Sequence, residues 1–325
     1  MSPSEQPTRL ALIGAGAWGK NYVRTLATMG RFYAVCELNP ELREAIKRDH
    51  PDTLCFADLQ ELLALPEVNG ICVATPAATH KKIAEECLKA GKDVLVEKPL
   101  SLSSDDGRRL VEYAQQQGRL LMVGHLLHYH PAIQTLKKLV ADGELGELRY
   151  IAAHRLNFGK IRTEENVLWS FAPHDISLLL SFFGGSPTSI NISGAAFVQD
   201  AIPDITTASF EFDAGRKAHI FTSWLHPYKE QKFVLIGDKK MAVFDDQAEE
   251  KLTLYDNTVL WEGGSPIAQK NGQRTVELEP GEPLRNQIQH FIDCIENHTQ
   301  PITDGAEGLR VLEVLESCQK QLTTS

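Results

Sequence analysis

The feature that most constrains the fold lies near the start of the chain. An apolar run, Leu10-Ala11-Leu12-Ile13, leads directly into Gly14-Ala15-Gly16-Ala17-Trp18-Gly19. After it, Tyr22, Val23, Leu26 and Met29 recur at helical spacing and Gly30 stops them. Strand, glycine-rich turn and helix in immediate succession admit few folds. Gly14 permits the tight turn, Gly16 lets backbone approach a pyrophosphate, and Gly19 lets the helix pack on the strand. Ala17 and Trp18 stand at the amide-rich helix start, which favours phosphate.

A glycine triplet alone is a weak signal. Here an acid follows at the right distance: Glu37, 23 residues after Gly14, closes the next apolar run, Phe32–Cys36. A carboxylate there accepts hydrogen bonds from an adenosine ribose and repels a 2′-phosphate. The next residues, Leu38-Asn39-Pro40, supply no arginine for such a phosphate. NAD rather than NADP is therefore the expected cofactor.

The same texture continues. Leu54–Phe56, Gly70–Ala74, Asp93–Val96 and Arg119–Val123 read as buried parallel strands, with amphipathic segments between them. Ile83, Ala84, Cys87 and Leu88 form a helical stripe ended by Gly91. Ser103 and Asp106 resemble a capping box on a helix that stops at Gly118. Such alternation implies right-handed crossovers and a doubly wound parallel sheet, assigned to residues 1–124.

After Gly124 the pattern changes. A helix is expected over Pro131–Ala141, a strand over Leu148–Phe158 and a helix over His174–Phe183, stopped by Gly184-Gly185. Thr207–Phe212 and Lys217–Leu225 flank Asp213-Ala214-Gly215, and Phe233–Ile236 and Met241–Phe244 flank residues 237–240; both read as hairpins. Pro283–Glu296 and Asp304–Gln321 close the chain as helices. Residues 125–325 thus read as an α+β domain on a mostly antiparallel open sheet.

Composition bounds the function classes. The 325 residues are 42% apolar, enough for two cores. Acidic residues outnumber basic ones, 43 to 33, which argues against nucleic acid or an anionic membrane as partner. No apolar run reaches the ~18–20 residues of a membrane span. The segment MSPSEQPTR lacks the pattern of a secretory signal, so a cytoplasmic protein is expected. The six cysteines form no C-x-x-C pair and no Cys/His cluster, so buried free thiols are expected and no metal.

The strand Asp93–Val96 ends in Glu97-Lys98-Pro99, which aims Lys98 into the crevice where parallel sheets bind ligands. Together, the glycine run at 14–19, Ala74-Thr75-Pro76 with His80, and Glu97-Lys98-Pro99 resemble the glucose–fructose oxidoreductase / inositol dehydrogenase (Gfo/Idh/MocA) family over nearly the whole chain. The resemblance implies a Rossmann domain, then an α+β domain whose open sheet joins subunits into a dimer or tetramer. It implies oxidation of a sugar or cyclitol hydroxyl, with hydride passing to a nicotinamide. The family lysine falls on Lys98 and its catalytic histidine on His174. The resemblance further implies that Thr75 and Pro76 line the cofactor cleft with His80, which opens the next helix, and that Glu97 hydrogen-bonds near the nicotinamide ribose.

One departure matters. Many members place an aspartate four residues before the histidine, and here that position is Ser170. Asp175 is adjacent to His174, but neighbours on a helix diverge by about 100°, so its expected role is to hold a substrate hydroxyl or orient Lys98. Pro173 suits the first position of a helix, which would place His174 in the first turn, where the dipole disfavours imidazolium. His125, His128 and His130 carry no carboxylate among them; the resemblance implies that this segment, His125 first, lines the substrate pocket rather than binding metal.

Arg155, Lys160 and Arg162 cluster in His154–Thr163, read either as a solvated loop or as a site for a phosphorylated or carboxylated substrate; the overlapping segment from Asn157 to Trp169 leads on to His174. That segment resembles the family branch acting on UDP-linked amino sugars. That implies oxidation of the 3-hydroxyl of UDP-N-acetylglucosamine, or of its uronic acid, so that an aminotransferase can install an amine for lipid A or O-antigen sugars of lipopolysaccharide. A free sugar or inositol dehydrogenase and a non-catalytic NAD-binding regulator are the alternatives.

Overall fold

Residues 7–324 are described in the computed structural model. Their contacts divide the chain into two compact units, 1–129 with 281–312, and 130–280 with 313–325.

In the first unit the strands β1 (Leu10–Ile13), β2 (Phe32–Cys36), β3 (Leu54–Phe56), β4 (Gly70–Val73), β5 (Asp93–Val96) and β6 (Leu121–Val123) alternate with helices. These are α1 (Gly19–Thr28), α2 (Pro40–Asp49), α3 (Leu59–Leu63), α4 (Ala77–Lys89) and α5 (Ser104–Gln117). The sheet is parallel in the order β3-β2-β1-β4-β5-β6, the doubly wound arrangement. Ala11, Ile13, Ile71 and Val94 pack with Leu62, Ala84, Leu88 and Leu110 on one face. Leu10, Leu12, Cys72 and Leu95 pack with Tyr22 and Leu26 on the other. The predicted capping box on α5 is not made, because Ser103 forms no side-chain cap.

The second unit contains α6 (Pro131–Ala141), β7 (Leu148–Phe158), α7 (Val167–Phe183), β8 (Ser189–Ala195), β9 (Ile205–Glu211), β10 (Lys217–Ser223), β11 (Leu225–Gly237), β12 (Met241–Asp245), β13 (Leu252–Glu262) and β14 (Ser265–Thr275). Its sheet runs β14-β13-β12-β11-β7-β10-β9-β8. All neighbours are antiparallel except β7 and β10. Both expected hairpins form, with Phe210 opposite Ala218 and Phe233 opposite Phe244. Alternate residues (Ile151, Ala153, Phe210, Ile220, Phe233, Phe244) are buried, as are Ile176, Leu179, Leu180 and Phe183 of α7.

Helices α8 (Pro283–Asn297) and α9 (Gly305–Thr324) close the chain. Every residue after 124 was expected to belong to the second domain, and here the structure differs. Leu284, Ile288, Phe291 and Ile292 of α8 pack against Leu10, Leu12, Tyr22 and Leu26, so α8 covers a face of the parallel sheet. The boundary also falls after Tyr129 rather than Gly124. Among the described residues no helix is long and apolar enough to cross a membrane. The cysteines are free and all but half-buried Cys55 are buried; burial pushes the Cys87 thiol up to about 12.

Candidate active site

The site residues fall into two groups, one in each unit. In the first unit they cluster at the carboxyl ends of β1, β2, β4, β5 and β6. The three glycines each have a separate physical reason. Gly14 has φ +86°, and a Cβ there would lie 2.8 Å from Thr75 Cγ2. A Cβ on Gly19 would lie 2.1 Å from the Gly14 carbonyl oxygen. A Cβ on Gly16 would meet nothing within 4 Å, which leaves the space a pyrophosphate needs. A dinucleotide fits this turn.

Glu37 is fixed beside it. Its Oε2 accepts from the Ala15 amide at 2.6 Å and its Oε1 from the Asn39 amide at 2.9 Å. Arg43, which the sequence reading passed over, donates from Nη1 to the carbonyls of Glu37 (2.6 Å) and Leu38 (2.8 Å). It stands six residues beyond Glu37, and α2 turns it back onto the loop.

The E-K-P turn is held from three directions. The Glu97 carboxylate accepts from the buried Tyr22 hydroxyl at 2.7 Å and from the Lys98 amide at 3.3 Å. Burial and then the Glu97 charge push the Tyr22 hydroxyl well above its ordinary value, so it remains a donor. Gly124 leaves room for this carboxylate, since a Cβ there would lie 3.0 Å from Oε1 and Oε2. The buried His80 ring bridges two turns, with Nδ1 2.7 Å from the Pro99 carbonyl and Nε2 2.8 Å from the Thr75 carbonyl. His80 thus ties the Thr75-Pro76 segment to Lys98-Pro99, and its role is to position both. Lys98 is half-buried.

His125 differs from its expected role as pocket lining. It is 1% exposed, and its Nδ1 lies 2.6 Å from Oε2 of Glu307 on α9, a residue more than 180 positions away that no local pattern announces. His130 belongs to the second unit, where its Nδ1 caps α6 by accepting from the Ala132 amide.

In the second unit, α7 begins at Val167, not at Pro173. Asn166 caps it, accepting from the Trp169 amide at 3.2 Å, and Pro173 lies inside the helix. Proline is common at a first helical position, but here the cap signal seven residues earlier prevails, and Pro173 only withholds a hydrogen bond from the Trp169 carbonyl. His174 therefore sits in the third turn, half-buried. The macrodipole fades within the first turn, so it does not hold this imidazole neutral. Ser170, one turn earlier, shares its helix face and is buried.

Asp175 has a partner other than the one expected. It is 0% exposed, and Arg155 of β7 donates to both its oxygens, Nε to Oδ2 at 2.7 Å and Nη2 to Oδ1 at 2.8 Å. The two residues occupy each other rather than standing open to a ligand. Trp169 donates from its indole to Gln319 Oε1 at 3.1 Å, sharing that oxygen with Asn166, so its polar group holds α7 to α9. Arg162 pairs with Glu165 at 3.1 Å. Asn157 is half-buried and Lys160 exposed.

Residues 8–125 match the family model described as an oxidoreductase family with NAD-binding Rossmann fold, and residues 133–243 match the Gfo/Idh/MocA C-terminal domain. The chain is 28% identical to the UDP-N-acetylglucosamine 3-dehydrogenase of Acidithiobacillus ferrooxidans over 309 residues, 94% of each chain. It superposes on a solved structure of that enzyme with a TM-score of 0.87, at 26% identity and 98% coverage of both. It is also 34% identical to the inositol 2-dehydrogenase of Paracoccus denitrificans over 172 residues, 51% of this chain and 50% of that one. A dinucleotide-binding parallel sheet with a clamped E-K-P turn, an open mostly antiparallel sheet and these two family matches have one reading: the chain belongs to the Gfo/Idh/MocA family of oxidoreductases and is a dehydrogenase acting on a CH–OH group.

Proposed function

We propose that the protein is an NAD-dependent dehydrogenase that oxidises the 3-hydroxyl of UDP-N-acetylglucosamine to the 3-keto sugar. The observation that carries this is the end-to-end similarity, through both units, to a UDP-N-acetylglucosamine 3-dehydrogenase. The Glu37 carboxylate beside the glycine turn supports NAD.

His174 removes the hydroxyl proton. Lys98 hydrogen-bonds the same oxygen and stabilises the negative charge that develops on it. Nicotinamide supplies the hydride acceptor when bound. Glu97, clamped by Tyr22, would hold the nicotinamide ribose end. The opposite assignment, with Lys98 as base, is separated by the pH profiles of the single variants.

The neutral sugar is favoured over its uronic acid. A 6-carboxylate calls for a bidentate arginine. Arg155 is already taken by Asp175 on both oxygens, and Arg162 faces Glu165. The 3-keto product is the substrate an aminotransferase requires to make a 3-amino sugar for lipid A or O-antigen. We further propose a cytoplasmic homo-oligomer, dimer or tetramer, joined through the open sheet.

The test is NADH formation with UDP-N-acetylglucosamine, its uronic acid, free sugars and inositols at matched concentration, with an aminotransferase drawing off the ketone. Turnover with the neutral UDP-sugar is expected. Turnover confined to free sugars or inositols would overturn the nucleotide-sugar reading and keep the dehydrogenase chemistry.

A further inference from the structure

The loop after β2 carries both signs of charge. Glu37 is anchored through both oxygens to the Ala15 and Asn39 amides. Against the same loop, the Arg43 Nη1 donates to the carbonyls of Glu37 and Leu38 at 2.6 and 2.8 Å. Those bonds fix the guanidinium against the turn that takes the adenosine ribose, and they use one of its three nitrogens. Leu38, between the two, is 82% exposed, so the rim of the turn is open to a ligand.

We propose that Arg43 is a second cofactor-specificity residue. It shapes the loop for a ribose with a free 2′-hydroxyl, and it is a cationic ligand already in place for a 2′-phosphate. Discrimination against the phosphorylated dinucleotide then rests on the Glu37 carboxylate alone. With the carboxylate present, its charge repels the phosphate. Once that charge is gone, a planar guanidinium meets the phosphate oxygens by charge-assisted hydrogen bonds. No added arginine is needed for the change of preference. This inference rests on the NAD reading given above.

Calorimetric titration of the full chain with NAD, NADP and adenosine 2′,5′-bisphosphate tests it without any turnover. Glu37→Gln keeps an acceptor for the Ala15 amide and removes the charge. It should tighten binding of NADP and of adenosine 2′,5′-bisphosphate by about tenfold or more. In the Glu37→Gln background, Arg43→Gln should abolish that gain. Arg43→Lys, which keeps a cation, should retain part of it, and added salt should weaken it. Binding of adenosine 2′,5′-bisphosphate as tight in Glu37→Gln/Arg43→Gln as in Glu37→Gln would overturn the role of Arg43. So would no gain in Glu37→Gln. Tighter binding of NADP than NAD by the wild-type chain would instead overturn the NAD reading, whichever way the double variant behaves.

Discussion

The Tyr22 hydroxyl donates a 2.7 Å hydrogen bond to Oε1 of Glu97. Tyr22 lies on the helix that follows the glycine turn, and Glu97 begins the turn that carries Lys98. The bond therefore ties the helix that follows the glycine turn to the E-K-P turn. Tyr22→Phe keeps the packing and removes the donor, a change of about 1.5–3 kcal/mol for a hydrogen bond to a charged acceptor. We expect a lower thermal midpoint and lower kcat, with ADP-ribose affinity unchanged by calorimetry. Unchanged kcat would show that the bond does not position the turn.

Gly124 is the matching constraint from β6. An added methyl group would sit 3.0 Å from the Glu97 carboxylate oxygens, closer than side chains ordinarily approach. Gly124→Ala should displace Glu97 and lower kcat/KM more than Tyr22→Phe does. Steady-state kinetics of the two variants measured together check the order.

The Arg155–Asp175 pair is buried, with side chains 11% and 1% exposed. Breaking it by Asp175→Asn leaves a guanidinium without its countercharge, at a cost of about 3–5 kcal/mol. Replacing both, Arg155→Met with Asp175→Leu, should recover much of that stability. Denaturant titration of Arg155→Met, Asp175→Leu and the double variant supplies the cycle. Additive losses would mean the pair is not coupled.

On the open face of the second sheet, Tyr150 is hydrogen-bonded to Nδ1 of His219. His219 Nε2 lies 3.5 Å from Nε2 of His154, whose Nδ1 meets Glu230 at 2.6 Å. Desolvation, and then the charge of His154, pull His219 below its ordinary 6.5. The unfolded chain takes up this proton at higher pH than the folded one. The linked stability is therefore present above about 6.5 and is lost as pH falls from there towards the folded value. Thermal midpoints between pH 7.5 and 5 should fall, and His219→Gln should make the decline shallower. An identical slope in the variant would remove His219 as its source.

Much of this architecture was legible because glycine and proline punctuate it. The bounds of α6 and β7 and both hairpins follow from Pro131, Gly143 and the turn residues at 213–215 and 237–240. The start of α7 did not follow, because Pro173 carries the more conspicuous start signal in the sequence, whereas in the fold the Asn166 cap and the packing of Val167, Leu168 and Ala172 begin the helix earlier. The allegiance of α8 was hidden for a similar reason. Its apolar stripe is visible in sequence, but nothing local says which sheet the stripe covers. The local geometry of the glycine run was legible: Gly14 and Gly19 make the close turn, and Glu37 stands beside it. Residues that matter through a distant partner did not show themselves: Glu307 behind His125, Asp175 against Arg155, and Arg43 folded back by one helical turn.

In the proposed reaction Lys98 and His174 act on the 3-hydroxyl of UDP-N-acetylglucosamine. The most direct measurement is mass analysis of the reduced dinucleotide after incubating the enzyme and NAD with UDP-N-acetylglucosamine carrying deuterium at carbon 3. One deuterium should appear on the nicotinamide. Its rate of appearance should fall by about 10²–10⁴-fold in His174→Ala and in Lys98→Met, with NAD binding retained. Reduced dinucleotide without deuterium, or transfer at the wild-type rate in either variant, would contradict the account.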